Sequence, residues 1–184
     1  MPPVKLVKAS IFAALAIGVG YALLMVPNVE LITTIVFCAG LWLGISWGII
    51  VGFTAEFIFS AMHPFGSGLA FPPMLAAQVI GMALAGMVGG LVRPFIRNWG
   101  NSIAGRIALG AIGYILTLVF DSLTTLSYPV SAGFDWPQIK ALYISGLGFT
   151  FLHQFSNAII FAVGLPVILR STVFRNELSE SSVN

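Results

Sequence analysis

The sequence predicts an all-α integral membrane protein: a single transmembrane domain over residues 1–184, six transmembrane helices, and both termini in the cytoplasm. Three observations carry that expectation. Mean hydropathy is +1.01. Hydrophobic residues make up 58% of the chain and charged ones only 8%, against roughly 25% in soluble domains, so there is too little polar material to clothe a globular core. Finally, apolar stretches able to cross a hydrocarbon core of about 30 Å recur along the whole chain, and nearly all basic residues fall on one side once six crossings are counted.

The first span covers about 6–25. Lys5 and Lys8 precede an apolar run that is long for the core of a signal peptide and lacks a small-x-small cleavage site, so it reads as a membrane helix. Pro27 and Asn28 end it, and Glu30 opens the next helix. The stretch 31–61 has Glu56 as its only charge. As one helix it would be about 46 Å long at about 1.5 Å per residue, too long for a single straight crossing. Its middle, Leu43-Gly44-Ile45-Ser46-Trp47-Gly48, supplies glycines, a serine and an interfacial tryptophan, so two spans (about 31–44 and 48–62) joined by a tight turn are expected in place of one tilted helix. Gly40, Gly44, Gly48 and Gly52 run through this hairpin, and small residues let helix backbones approach where lipid offers no hydrophobic drive for association. Cys38, the only cysteine, excludes an internal disulfide and is expected to be a buried structural thiol.

Residues 63–73 break the pattern with Pro64, Pro72 and Pro73 and read as an ordered loop against the helix ends. Span four covers about 74–92 and is closed by Arg93, Pro94 and Arg97. Span five covers about 102–126. A second long loop, 127–138, carries Tyr128, Pro129, Trp136 and Pro137, span six covers about 141–169, and a polar tail follows from Ser171. With six spans, Lys5, Lys8, Arg93, Arg97, Arg106, Arg170 and Arg175 share the side of the termini, and Lys140 alone falls opposite. Treating 31–61 as one helix would put Arg93 and Arg97 across the membrane from Lys5 and Lys8. Six spans is the consistent count, and it turns both long loops outward, where Phe65, Phe71, Tyr128, Phe134 and Trp136 are placed to roof a cavity.

A charge in mid-span costs about 2.5–3.5 kcal/mol on insertion scales, so Glu56 and Asp121 need a reason to be there. Glu56, Ser60 and His63 share a face of span three, and Thr117, Asp121, Thr124 and Thr125 a side of span five. Gln78 lies in the outer third of span four. Thr150, His153 and Asn157 align on span six, with Gln154 and Ser156 turned away from them. Hydrogen bonds between helices average only about 0.6 kcal/mol and would explain any one of these groups as glue. Glue has no reason to concentrate at one depth, so a pocket open to the outside is expected. Asp121, Asn157, His153, Gln78, Glu56 and Thr125 would supply hydrogen bonds or charge, and Trp136, Phe71 and Tyr128 would exclude water. Glu56 either lines the pocket floor or ties span three to span six.

No enzymatic activity is expected. Gly100-Asn101-Ser102-Ile103-Ala104-Gly105-Arg106-Ile107 has a phosphate-loop glycine spacing without the Lys-Ser/Thr that would hold phosphate and magnesium. Ser67 lies in a Pro-rich loop without the helix start that would supply an oxyanion site. His63, His153 and one cysteine make a poor metal set, no cofactor motif is present, and the few basic residues argue against nucleic acid. Ala9 and Ala13, continued by Ala16 and Gly20, leave a smooth stripe on span one that fits either packing within the chain or a partner helix.

As a set, the short six-span chain, Lys5-Leu6-Val7-Lys8-Ala9 leading to Ala13, Pro27-Asn28-Val29-Glu30, the Gly-rich hairpin, Phe120-Asp121-Ser122-Leu123-Thr124-Thr125, and His153-Gln154-Phe155-Ser156-Asn157 resemble the substrate-binding S-components of energy-coupling factor (ECF) vitamin transporters. The likeness covers nearly the whole chain. It implies a monomeric, multi-pass subunit in a prokaryotic plasma membrane that captures a vitamin or related small micronutrient from outside. It also implies docking on a transmembrane coupling subunit carried by two cytosolic ATPases, with Ala9 and Ala13 at that contact. The alternative from another class is a small integral membrane scaffold protein of an envelope or cell-shape complex, which needs no pocket.

Overall fold

The computed structural model describes residues 3–96, 99 and 102–171; Arg97 and Arg175, both used in the charge count, lie outside them. Every regular element among the described residues is helical. The chain runs through α1 (Pro3–Ala22), α2 (Ile32–Leu43), α3 (Ile45–Ala61), a short 3-10 turn (Gly68–Ala70), α4 (Pro72–Val92), α5 (Ile103–Ser131), α6 (Trp136–Ile159), a π-helical turn (Ile160–Gly164) and α7 (Leu165–Arg170). Four helices are long and apolar enough to cross a membrane: α1, α4, α5 and the continuous run of α6 through α7. The 12 residues of α2 and 17 of α3 make apolar rods of about 18 and 26 Å, each shorter than a hydrocarbon core of about 30 Å.

The hairpin turns at a single residue. Gly44 has φ 95° and ψ 173°, a conformation that a side chain would resist, and its N–H still bonds to the Gly40 carbonyl. Gly40 and Gly48 then face each other across the turn, and α4 lies against both with its own glycines. A Cβ on Gly40 or Gly48 would collide with the Gly86 carbonyl oxygen, one on Gly52 with the Met82 carbonyl, and one on Gly89 with the Phe37 carbonyl. Three helices thus meet backbone to backbone, the close approach that small residues permit. The hairpin ladder was visible in sequence; its complement on α4 was not.

Helix α1 covers α2 and α3. Phe12 meets Trp42 edge-on at 5.7 Å, and the Tyr21 hydroxyl donates to the Phe59 carbonyl. The small-residue stripe faces inward, with Ala9 4%, Ala13 8% and Ala16 0% exposed, so packing within the chain is the use that the structure makes of it. The coupling-subunit contact expected at Ala9 and Ala13 finds both residues inside the bundle. On the other side, α5 packs on α6, where Gly113 makes room for Phe161, a fully buried ring 5.1 Å from Phe37. Pro166 follows at the start of α7 and has no N–H to donate; the π turn immediately before it is where the helix adjusts.

The second long loop is not a loop. Helix α5 continues to Ser131 with Pro129 inside its last turns, and α6 begins at Trp136, which leaves only residues 132–135 as a turn. Prolines are tolerated within apolar bundles where neighbouring hydroxyls and packing satisfy the freed backbone. Around Pro129 the Ser127 hydroxyl donates to the Thr124 carbonyl and the Ser131 hydroxyl to the Ser127 carbonyl, local side-chain bonds along the last turns of α5 rather than to the carbonyl four residues before the proline. Pro137 sits in the first turn of α6, where proline is favoured. Asp135 and Gln138 close a capping box around it: the Gln138 N–H donates to Asp135 Oδ1 and the Asp135 N–H to Gln138 Oε1, each at 2.9 Å. The 63–73 segment, by contrast, is an ordered loop as far as Phe71, while Pro72 and Pro73 already form the first turn of α4. The Ser67 hydroxyl donates to the Ala61 carbonyl and accepts from the Leu69 N–H.

Candidate functional site

A cavity of about 270 Å³ opens at the end of the bundle where α1 ends, α2 begins, α3 ends and α4 begins. Its walls are built by the same helical periodicity that packs the glycines further down. Along α3, Gly48, Gly52, Glu56 and Ser60 follow one another at intervals of four, and along α4 Gly90, Gly86, Met82 and Gln78 do the same, so each face runs from glycine to a polar group. Glu56 and Gln78 both line the cavity. The Ser60 hydroxyl donates to Glu56 Oε1 at 2.7 Å, which fixes one oxygen of a carboxyl that is almost completely buried.

Glu30 comes from the 26–31 turn and joins two helices. Its Oε2 accepts from the Thr33 N–H at 2.9 Å, serving one of the backbone donors left open at the start of α2. Its Oε1 accepts from Asn157 Nδ2 at 3.0 Å, which ties that start to α6. Asn157 is 0% exposed, and its carbonyl oxygen has no partner among the described residues. The amide orientation follows from the contact itself, because the reverse would set oxygen against oxygen. On the other wall His153 lines the cavity with its Nδ1 2.9 Å from Asp121 Oδ1, while Asp121 Oδ2 is buried and unpartnered. Asp121 and Asn157 therefore stand one side chain behind the wall and hold the groups that form it.

Of the residues singled out in the sequence, Glu56, Gln78 and His153 line the cavity, and Asp121 and Asn157 hold its wall from behind. Thr125 is not among the lining residues. Phe71, Tyr128 and Trp136 do not close it either. Phe71 and Tyr128 pair at 6.0 Å in a separate aromatic cluster with Phe134, and Trp136 is 65% exposed with Lys140 Nζ 5.4 Å from its ring centroid. Because 127–138 is mostly helix, Tyr128 stands on α5 and Trp136 on α6, while Phe71 caps the start of α4. The apolar wall is made instead by Phe59, Phe120 and Phe149, which sequence reasoning missed. Glu30, read as a helix start, is also a wall residue, and Asn28 beside it lines the cavity from a left-handed turn position at φ 59°. Gln154, one position round from His153, is buried as well.

Comparisons with protein-family models, with curated proteins and with solved structures found no match. The functional reading therefore rests on the cavity and on the sequence.

Proposed function

We propose that the chain is the substrate-capturing membrane subunit of an ECF-type importer, binding a vitamin or related small micronutrient from the outer side and delivering it with a transmembrane coupling subunit and two ATPases. The observation that carries this reading is the gathering of Glu30, Glu56, Gln78, His153, Asp121 and Asn157 from five segments around one cavity in an otherwise apolar bundle. Interhelical glue would not leave an open volume beside the groups it joins.

The distribution of charge supports the direction of capture. Lys5, Lys8, Arg93, Arg106 and Arg170 belong to the end of the bundle opposite the cavity, and Lys140 to the cavity end. By the positive-inside rule the cavity then faces outward and both termini face the cytoplasm of a prokaryotic cell. In this reading α2 and α3 are two short crossings that bring the count to six, accommodated by their flanking turns and by local thinning of the bilayer.

Gently purified protein examined by native mass spectrometry is the test. A retained small molecule, or saturable binding of one member of a vitamin panel, is the expected result. If nothing is retained and nothing in the panel binds, while Asp121→Ala and Asn157→Ala impair only folding or assembly, the capture role fails and the scaffold alternative takes its place.

A further inference from the structure

We infer that the cavity takes an organic cation: a small molecule with a protonated or permanently charged nitrogen on a compact, ring-sized apolar body. This rests on the capture reading and adds the chemical class of what is captured.

The acids among the lining residues outnumber the fixed cations: Glu30 and Glu56 are the two carboxyl groups, while Asn28, Gln78, His63 and His153 each carry donor and acceptor atoms. Asp121 stands behind His153. An ionised carboxylate has about four lone-pair sites. Glu30 uses two of them, for the Thr33 N–H and the Asn157 amide, so two are left for a ligand. Gln78 Oε1, Asn28 Oδ1, Asp121 Oδ2 and Asn157 Oδ1 are buried at or just behind the wall with no donor to meet them among the described residues. Buried oxygens without partners are rare in folded proteins; those of Gln78 and Asn28 belong to residues that line the opening and mark a place for donors from a ligand, while those of Asp121 and Asn157 lie behind the wall.

No Lys or Arg is among the residues that line the cavity. The basic partner within it, His153, is already engaged by Asp121. His63, at the rim, has its Nδ1 taken as an acceptor by the Phe65 N–H at 3.4 Å. An anionic ligand would meet the carboxyl groups of Glu30 and Glu56 with no Lys or Arg to face, and like charges in a site of low dielectric repel strongly. A nitrogen cation meets carboxylates, orphaned carbonyl oxygens and the ring faces of Phe59, Phe120 and Phe149, which attract positive charge as well as bury apolar surface. A bare metal ion does not fit the same description: among the described residues no three His, Cys, Asp or Glu side chains converge to hold one. The volume of about 270 Å³ lies just under the usual range for small-molecule sites, about 300–1,000 Å³, which limits the body to roughly one ring system.

Benzamidine, benzamide and benzoate are planar molecules of one shape that differ in charge, and they test the inference on the full-length protein in detergent by calorimetric titration or ligand-observed NMR. Benzamidine is expected to bind about tenfold or more tighter than benzamide, the scale of a desolvated charged contact, and benzoate weakest of the three. Glu30→Gln, which keeps an acceptor for the Thr33 N–H, should shrink the benzamidine-to-benzamide ratio to about threefold or less. Glu56→Gln is the second variant should the first fail to fold, and the wild-type series needs no variant. Equal binding of all three, a preference for benzoate, or no binding of benzamidine overturns the inference. If that result comes with a neutral or anionic molecule retained in native mass spectra, the capture role survives and only the charge assignment falls; if nothing is retained either, both fall.

Discussion

The two ends of the α2–α3–α4 unit differ in what holds the helices apart. At the hairpin end Gly40, Gly48, Gly86 and Gly90 leave nothing between the backbones, and any added Cβ meets main-chain atoms of the neighbouring helix. At the other end the same faces carry Thr33, Glu56, Met82 and Gln78, and a cavity stands where side chains replace contact. In lipid, where apolar side chains gain little by leaving the solvent, close packing of backbones is a main source of association. The glycine end therefore clamps the unit, and the cavity lies beyond it, where the same faces carry side chains with volume and polarity. The difference assigns stability to one end and binding to the other.

Gly86→Val should break the comparison most severely. Its side chain would enter the backbone of Gly48, which no rotamer change relieves. Overpacking costs about 1–3 kcal/mol and more where backbone must move, a large fraction of a protein's stability, and the thermal midpoint should fall sharply with loss of the monodisperse peak in size-exclusion chromatography. A Gly86→Val protein that folds with an unchanged thermal midpoint would show that the clamp is not where stability lies.

The next largest effect belongs to the cavity wall. Asp121→Ala leaves His153 without its partner and should destabilise by about 1–3 kcal/mol. His153→Ala in the same background should recover part of that loss, because the unpaired imidazole is removed with it; the double-mutant cycle in thermal unfolding reads this directly. Benzamidine binding should fall in Asp121→Ala, which removes a carboxylate from behind the wall. Smaller still is the tie between Glu30 and Asn157. A cycle of Glu30→Gln and Asn157→Ala is expected to yield a coupling of about 0.6 kcal/mol, and at most about 1.7 kcal/mol, the span measured for hydrogen bonds between membrane helices. A coupling near zero would mean that the contact does not join α2 to α6.

Much of the helical outline was legible because glycine and charge are strong signals in an apolar chain. Gly44 ends one helix and begins the next in the short stretch from Leu43 to Gly48 where the turn was expected. Proline was the weaker signal. Pro129 and Pro137 suggested a loop from 127 to 138, yet one lies inside α5 and the other in the first turn of α6. Asp135 and Gln138, three residues apart around Pro137, are a capping-box pattern that places the helix start and outweighs the proline as a breaker. In the site, polar residues at a common depth did come together, because a buried charge has few other places to go. Aromatic residues carried no such information. Phe149 was not singled out in the sequence, and only its position one turn before His153 sets it apart from the other phenylalanines of α6.

That last distinction gives the smallest effect on stability and the finest division between the regions. Trp136 and Phe149 both belong to α6 and are almost equally exposed, 65% and 67%, so their surroundings offer little energy to lose. Exposed substitutions of this kind stay within about 0.5 kcal/mol, and both Trp136→Ala and Phe149→Ala should leave the thermal midpoint close to wild type. Their binding should part company. Phe149 forms part of the cavity wall beside His153, whereas Trp136 stands at the start of the helix with Lys140 over its ring. Phe149→Ala is expected to weaken benzamidine binding about three- to tenfold, the contribution of one aromatic face to a cation, while Trp136→Ala leaves it unchanged. Equal losses in the two variants would return Trp136 to the site and make the short 132–135 turn, with the start of α6, part of the wall.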